Sequence, residues 1–362
     1  MLRTFVLSLL VIAALFGGFS TRPKRVAAAN NISVYGAWHC GSEFCSWSSV
    51  RNMTDFDNRN HWLIDRGDGS PSVNLVVLSF VQPLKLLNKT NDSGTTLGVP
   101  TGMNQAVVDY FKSRGVRVQL SIGGITYVDA WNQALATNPV QLGLNAAEVA
   151  QRMGVGIEID YEENTNPNLV ALQAFIDAYR SALPYDASGN NHAARLTIDL
   201  AAGDRWLIAL CRKATADWLN TTTPVLDYAN AMVPSRQPNS AATATADWQE
   251  HVDGKPQFGP PILPLAPAKF TGALYIVTGS KPAPECVSFS SSLINSTGAY
   301  VQTVAPNGAG TSSGMLGYMF WAAECPATRR VCTVPPNSCE GGVGVGADTY
   351  NVPIPMPALR QN

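Results

Sequence analysis

The chain has 362 residues, 46% hydrophobic and only 14% charged, enough apolar material for a large core, which excludes a disordered or fibrous protein. A formal net charge of −1 leaves no electrostatic footprint for nucleic acid or for an anionic membrane surface. A neutral partner is expected.

At the start of the chain, Met1-Leu2-Arg3 precedes an apolar run from Phe5 to Phe19, the layout of a secretory signal peptide. Residues 1–29 are set apart as signal and short propeptide. Cleavage at the dibasic Lys24-Arg25 and cleavage within "VAAAN" both fit. The competing reading, a short uncleaved anchor, needs ~20 apolar residues and the run is shorter, so no stable membrane insertion is expected. The N-x-S/T sequons at Asn31, Asn52, Asn88, Asn91, Asn220 and Asn295 support secretion to the extracellular space and glycosylation. The cysteines lack paired C-x-x-C spacing, which favours disulfides over a zinc cluster. Cys40 with Cys45 would close a small loop, Cys325, Cys332 and Cys339 would pin the tail, and Cys211, within a predicted helix, is the thiol expected to be left over.

Strand-length apolar runs follow in order: "ISVYGAW" (32–38), "VNLVVLSF" (73–80), "VRVQLSI" (116–122), "VGIEIDY" (155–161), "RLTIDLA" (195–201), "DYANAMV" (227–233), "ALYIVT" (273–278) and "MLGYMFW" (315–321). Several are nearly continuous in Val, Ile, Leu and aromatics, as buried parallel strands are. Helix-like segments lie between them at 104–114, 141–153, 168–183 and 205–219, the first two ending at Gly115 and Gly154 and the third at Pro184. The pattern predicts an α/β fold, a single (β/α)8 TIM barrel spanning residues 30–324. Residues 234–270, rich in Pro, Ala and Thr, read as a long, partly irregular insertion after strand 6. Residues 325–362 read as an irregular Cys/Pro/Gly-rich tail.

Within the fourth run, "GVGIEIDYEEN" (154–164), acids alternate with apolar residues. Side chains alternate faces along a strand, so Glu158, Asp160 and Glu162 share one side and Ile157, Ile159 and Tyr161 the other. Successive acids stand roughly 6.5 Å apart. An antiparallel strand with a wet acidic side would read the same way. Helices flank this strand, however, so its apolar face must meet them and the acids must point into the barrel, toward its C-terminal mouth. Carboxylates are costly there unless paired, hydrogen-bonded or protonated, a cost more often met at a site than in a scaffold. Glu162, nearest the mouth, would be the acid held in its protonated form, with Asp160 below it disfavouring its ionisation. A metal site would need oxygen ligands converging from several elements, and no second acidic cluster or His pair appears, so no cofactor is called for.

These residues resemble glycoside hydrolase family 18, the chitinases and endo-β-N-acetylglucosaminidases. "VGIEIDYE" (155–162) looks like the family's DGxDxDxE signature and "LSIGG" (120–124) like its SxGG motif; "VYGAW", "VNLVVLSF" and "GYMFW" look like its first, second and eighth strands. The resemblance runs from about residue 31 to residue 323. It implies substrate-assisted retention, an exception to two-carboxylate schemes. The substrate's acetamido oxygen would attack the anomeric carbon, Glu162 would be general acid and base, Asp160 would orient the acetamido N–H, and Glu158 would hold Asp160 and share its proton. Trp321 would floor the sugar subsite, with Tyr35 and Phe80 as walls, and Ser121, Gly123 and Gly124 in support.

The chain also departs from the family pattern. Val155 and Glu158 stand where the family usually has Asp. The sixth strand reads Met232-Val233-Pro234-Ser235 in place of Met-x-Tyr-Asp: Met232 is kept and counted with the substrate-binding residues, while the tyrosine donor is missing. Losing such a donor could cost about 2.7–4 kcal/mol of transition-state stabilisation. Tyr127 is the candidate replacement. The implied activity is hydrolysis of β-1,4-linked N-acetylglucosamine in chitin or its oligomers. Endo-β-N-acetylglucosaminidases acting on N-glycans use the same acids, and a carbohydrate-binding protein that no longer cleaves is the rival from another class.

Overall fold

The computed structural model describes residues 34–43, 48–50, 52–65, 71, 73–201, 207–221, 224–232, 241–277, 287–288 and 315–321. Strands β1 (Val34–Cys40), β2 (Leu75–Val81), β3 (Arg117–Gly123), β4 (Gly156–Asp160), β5 (Leu196–Leu200), β6 (Ala229–Ala231), β7 (Phe270–Val277) and β8 (Gly317–Trp321) correspond to the expected runs. Each pairs in parallel with the next, and β8 pairs in parallel with β1, so the sheet closes into a barrel in chain order. Val287–Ser288 adds a short parallel stretch beside β7.

The helices are α1 (Met53–Ile64), α2 (Pro83–Leu87), α3 (Gln105–Lys112), α4 (Val128–Thr137), α5 (Pro139–Met153), α6 (Leu169–Ala182), α7 (Ile208–Lys213) and α8 (Ala241–Asp253). Local chemistry starts and stops several of them. Asn104, Asn138 and Asn168 accept hydrogen bonds from the backbone N–H groups of Val107, Gln141 and Ala171, and Pro139 sits in the first turn of α5. Gly154 ends α5 in the left-handed region at φ 65°.

Two stretches are more specific than the sequence pattern predicts. The helix expected over 205–219 is α7 followed by a π-helical turn, Ala214–Trp218. The stretch 234–270, expected as a long, partly irregular insertion, contains the regular helix α8 among its described residues. Its Ala content favours a helix, and Trp248 fixes it to the barrel: the indole N–H donates to the Ala273 carbonyl at 3.2 Å, and a Cβ on Gly272 would sit 2.2 Å from the ring. Helices α1, α2 and α4 lie outside the segments that the sequence pattern marks as helical.

The end of the barrel where the strands begin is held by ions. Asp227 pairs with Arg180 at 2.9 Å and Arg195 at 2.7 Å, and also accepts from the Leu196 backbone N–H. Cys211 is a buried free thiol that donates to the Ala201 carbonyl, its pKa pushed up to about 12 by burial. Residues 1–33 and 322–362, with Cys45, Cys286, Asn295 and the proposed cysteine-pinned tail, lie outside the described residues.

Candidate active site

Strand β4 splits its residues as its alternation requires. Ile157, Ile159 and Tyr161 are buried on the helix side, where the Tyr161 hydroxyl donates to Asn132 Oδ1 of α4 and accepts from the Asn168 N–H. Glu158, Asp160 and Glu162 share the other face and are 0%, 3% and 8% exposed. A cleft of about 500 Å³ lined by Asn132, Asn166, Pro167, Asn168, Leu169 and Val170 lies beyond Tyr161 and contains none of these acids.

Glu158 is the most tightly held. Its Oε1 accepts from the Trp38 indole N–H at 2.9 Å and its Oε2 from the Asn230 side-chain amide at 2.5 Å. Asn230 is itself oriented by the Thr271 hydroxyl, which donates to its Oδ1. Ser121 lies across from Glu158 in the β3–β4 register. Donors therefore reach this carboxyl from β1 and β6, with Thr271 on β7 behind them.

A fourth acid, Asp199 on β5, joins the cluster. It is 3% exposed, its carboxyl is in hydrogen-bond contact with Glu158, and it pairs in register with Asn230. The sequence reading passed over Asp199, Trp38, Asn230 and Thr271. The signal for Asp199 was an acid inside the apolar run "RLTIDLA", in phase with Arg195 and Thr197.

Burial dominates the titration of this group. It raises Asp160 well above the ordinary carboxyl range, and the charges of Glu162 and Glu158 add to the effect. Asp199 is raised by burial and then by Glu158 and Asp160; Glu158 is raised by burial, opposed by its hydrogen-bond donors. Glu162 is pushed up to about 7 by burial, opposed by a hydrogen bond from the Ile125 backbone. Asp160 Oδ1 has no hydrogen-bond partner among the described residues. The arrangement can hold protons at neutral pH and present one of them near the mouth.

The glycines of "LSIGG" bring β3 against the end of β4. Gly123 has φ +124°, and a Cβ there would lie 1.8 Å from the Asp160 carbonyl oxygen and 2.4 Å from Trp131 Nε1. That carbonyl accepts from the Gly124 N–H at 3.0 Å and from the Trp131 indole at 3.1 Å. The half-buried Phe80, joined to Ser79 by a cis peptide, packs its ring against Gly124. Tyr127 is buried and its hydroxyl bonds to Glu43, so acting on a ligand would mean exchanging that partner. Met232 is half-buried beside the core and its N–H donates to the Leu200 carbonyl at 2.7 Å. Tyr35 and Trp321 have their backbones on β1 and β8, while their side chains and the whole of 233–240 lie outside the described residues.

A closed parallel barrel of this kind is the fold of the family 18 chitinases, and the chain has that fold. A family 18 chitinase from Pseudoalteromonas aurantia superposes with a TM-score of 0.54 at 14% identity, covering 80% of this chain and 94% of that one. A chitinase from Rhizomucor miehei does so with a TM-score of 0.50 at 12% identity, covering 87% and 98%. At these identities the likeness is one of fold. No family model matches the sequence, and no curated protein matches it.

Proposed function

We propose that this protein is a glycosidase that hydrolyses β-1,4-linked N-acetylglucosamine, in chitin or its oligomers, by substrate-assisted retention. The observation that carries the reading is Glu162: a buried carboxyl at the mouth, pushed up to about 7, on the same face as Asp160. An acid with that pKa is protonated often enough at neutral pH to donate and is ionised often enough to take a proton back. Glu162 gives its proton to the glycosidic oxygen as that bond breaks, while the substrate's acetamido oxygen closes on the anomeric carbon to form an oxazolinium ion. Asp160 accepts from the acetamido N–H through its carboxyl oxygen and so orients that group for attack. Glu162, now a carboxylate, takes a proton from the water that opens the ring, which restores the starting state. The donor set on Glu158 keeps the base of this acid ladder in place. The fold shared with chitinases supports the same chemistry.

A second reading is a carbohydrate-binding protein that does not cleave. The motif Met232-Val233-Pro234-Ser235, which lacks the family's tyrosine, favours it. Secretion, N-glycosylation and the cysteine pairings belong to the proposal as well; the exposed Asn88 and Asn91 suit glycan attachment.

The test is product release from chitin oligosaccharides by the purified protein, with Glu162→Gln beside it. Hydrolysis lost in the variant supports the glycosidase. Oligosaccharide binding without hydrolysis in either protein supports the binder.

A further inference from the structure

Asp199 lies outside every motif that carries the family resemblance. Yet on β5 it stands two residues beyond Thr197, the register partner of Glu158, and opposite Asn230, whose amide donates to Glu158, and its carboxyl is in hydrogen-bond contact with Glu158. Two carboxyl groups in such contact must hold a proton between them, because two ionised oxygens would repel in a buried site. The surroundings decide which acid carries it. Glu158 already receives an N–H on each oxygen, from Trp38 and from Asn230, and donors on both oxygens favour its ionised form. Asp199 is nearly as buried, and its Oδ1 has no hydrogen-bond partner among the described residues. The proton therefore rests on Asp199, which donates to Glu158.

We propose that Asp199 is a positioning residue: as a neutral acid it supplies a further donor to Glu158 and so fixes that side chain as the carboxylate beneath Asp160. The inference rests on the hydrolase reading above. In that reaction Asp160 meets the acetamido group, and a Glu158 charge held still in one place orients it. Asp199 touches no reacting atom; it acts through Glu158.

The experiment compares wild type, Asp199→Ala and Asp199→Asn in hydrolysis of chitin oligosaccharides. Thermal melting and infrared absorption of protonated carboxyl groups at neutral pH accompany the kinetics. Losing a donor to a charged group is expected to lower kcat of Asp199→Ala by about ten- to a hundredfold with KM nearly unchanged. Asp199→Asn, which keeps an N–H donor, is expected to recover most of that loss, and its protonated-carboxyl band should be weaker than the wild-type band. An undiminished kcat in Asp199→Ala, or Asn as damaging as Ala, overturns the proposal. Should wild type not hydrolyse these substrates, the hydrolase reading fails on its own account. The infrared comparison of wild type with Asp199→Asn then decides the pair, as it does if Asp199→Ala does not fold: a weaker band supports it, an unchanged band refutes it.

Discussion

The indole N–H of Trp38 on β1 donates to Glu158 Oε1 on β4 at 2.9 Å, bridging the barrel interior between residues 120 apart in sequence. Trp38→Phe keeps a large ring but removes the donor, leaving a buried carboxyl oxygen short of a partner. A destabilisation of about 1–3 kcal/mol is expected, since that is the usual cost of an unsatisfied buried polar group. Under the proposed mechanism kcat falls as well. Chemical denaturation and initial rates on chitin oligosaccharides measure the two effects.

The pKa of Glu162 sets a pH dependence. A general acid must carry its proton, so activity should decline as pH rises through about 7, and the limb should belong to Glu162. Stability follows the same shift. Between the ordinary value of 4.5 and about 7 the unfolded chain binds fewer protons at this residue than the folded chain, so its contribution is full below that window and is lost as pH rises through it. His39 and His251, lowered to about 4 by burial, act in the opposite direction as pH falls from 6.5. The informative quantity is therefore the melting temperature of Glu162→Gln minus that of wild type, which should increase from pH 4.5 to 7; a flat difference would count against the raised pKa.

Gly123→Ala should be far worse than Gly124→Ala. At Gly123 the new Cβ would fall 1.8 Å from the Asp160 carbonyl oxygen, which is backbone and cannot step aside. At Gly124 it would meet the Phe80 ring at 3.1 Å, a contact that a small ring shift relieves. Both positions also carry positive φ. Overpacking of this kind commonly costs about 1–3 kcal/mol, with Gly123 expected above that range. Equal melting temperatures for the two variants would contradict the close approach of β3 and β4.

Asp227→Asn tests the opposite end of the barrel. It strips the charge that neutralises Arg180 and Arg195, both largely buried, and breaking such a pair typically costs about 3–5 kcal/mol. The kcat of the folded fraction should stay near wild type, because chemistry in these barrels sits where the strands end. A large kcat loss at unchanged stability would refute that separation.

Much of the fold was legible because it depends on local pattern. Strand-length apolar runs, several of them nearly continuous, marked every barrel strand, and Gly154 ended α5 through a backbone conformation that glycine adopts readily. Helix α8 was not legible, since what secures it is Trp248 lying on Gly272. In the site, alternation along β4 was enough to put Glu158, Asp160 and Glu162 on one face.

What the sequence determined by itself is the barrel and the acid ladder on its fourth strand, because period and spacing are properties of a single segment. The tertiary structure decided which side chains meet that ladder. Trp38, Asp199, Asn230 and Thr271 come from four other strands, and only closure of the barrel brings them around Glu158. The proton that the Glu158–Asp199 pair must share is a consequence of that closure, since burial raises the cost of a second charge.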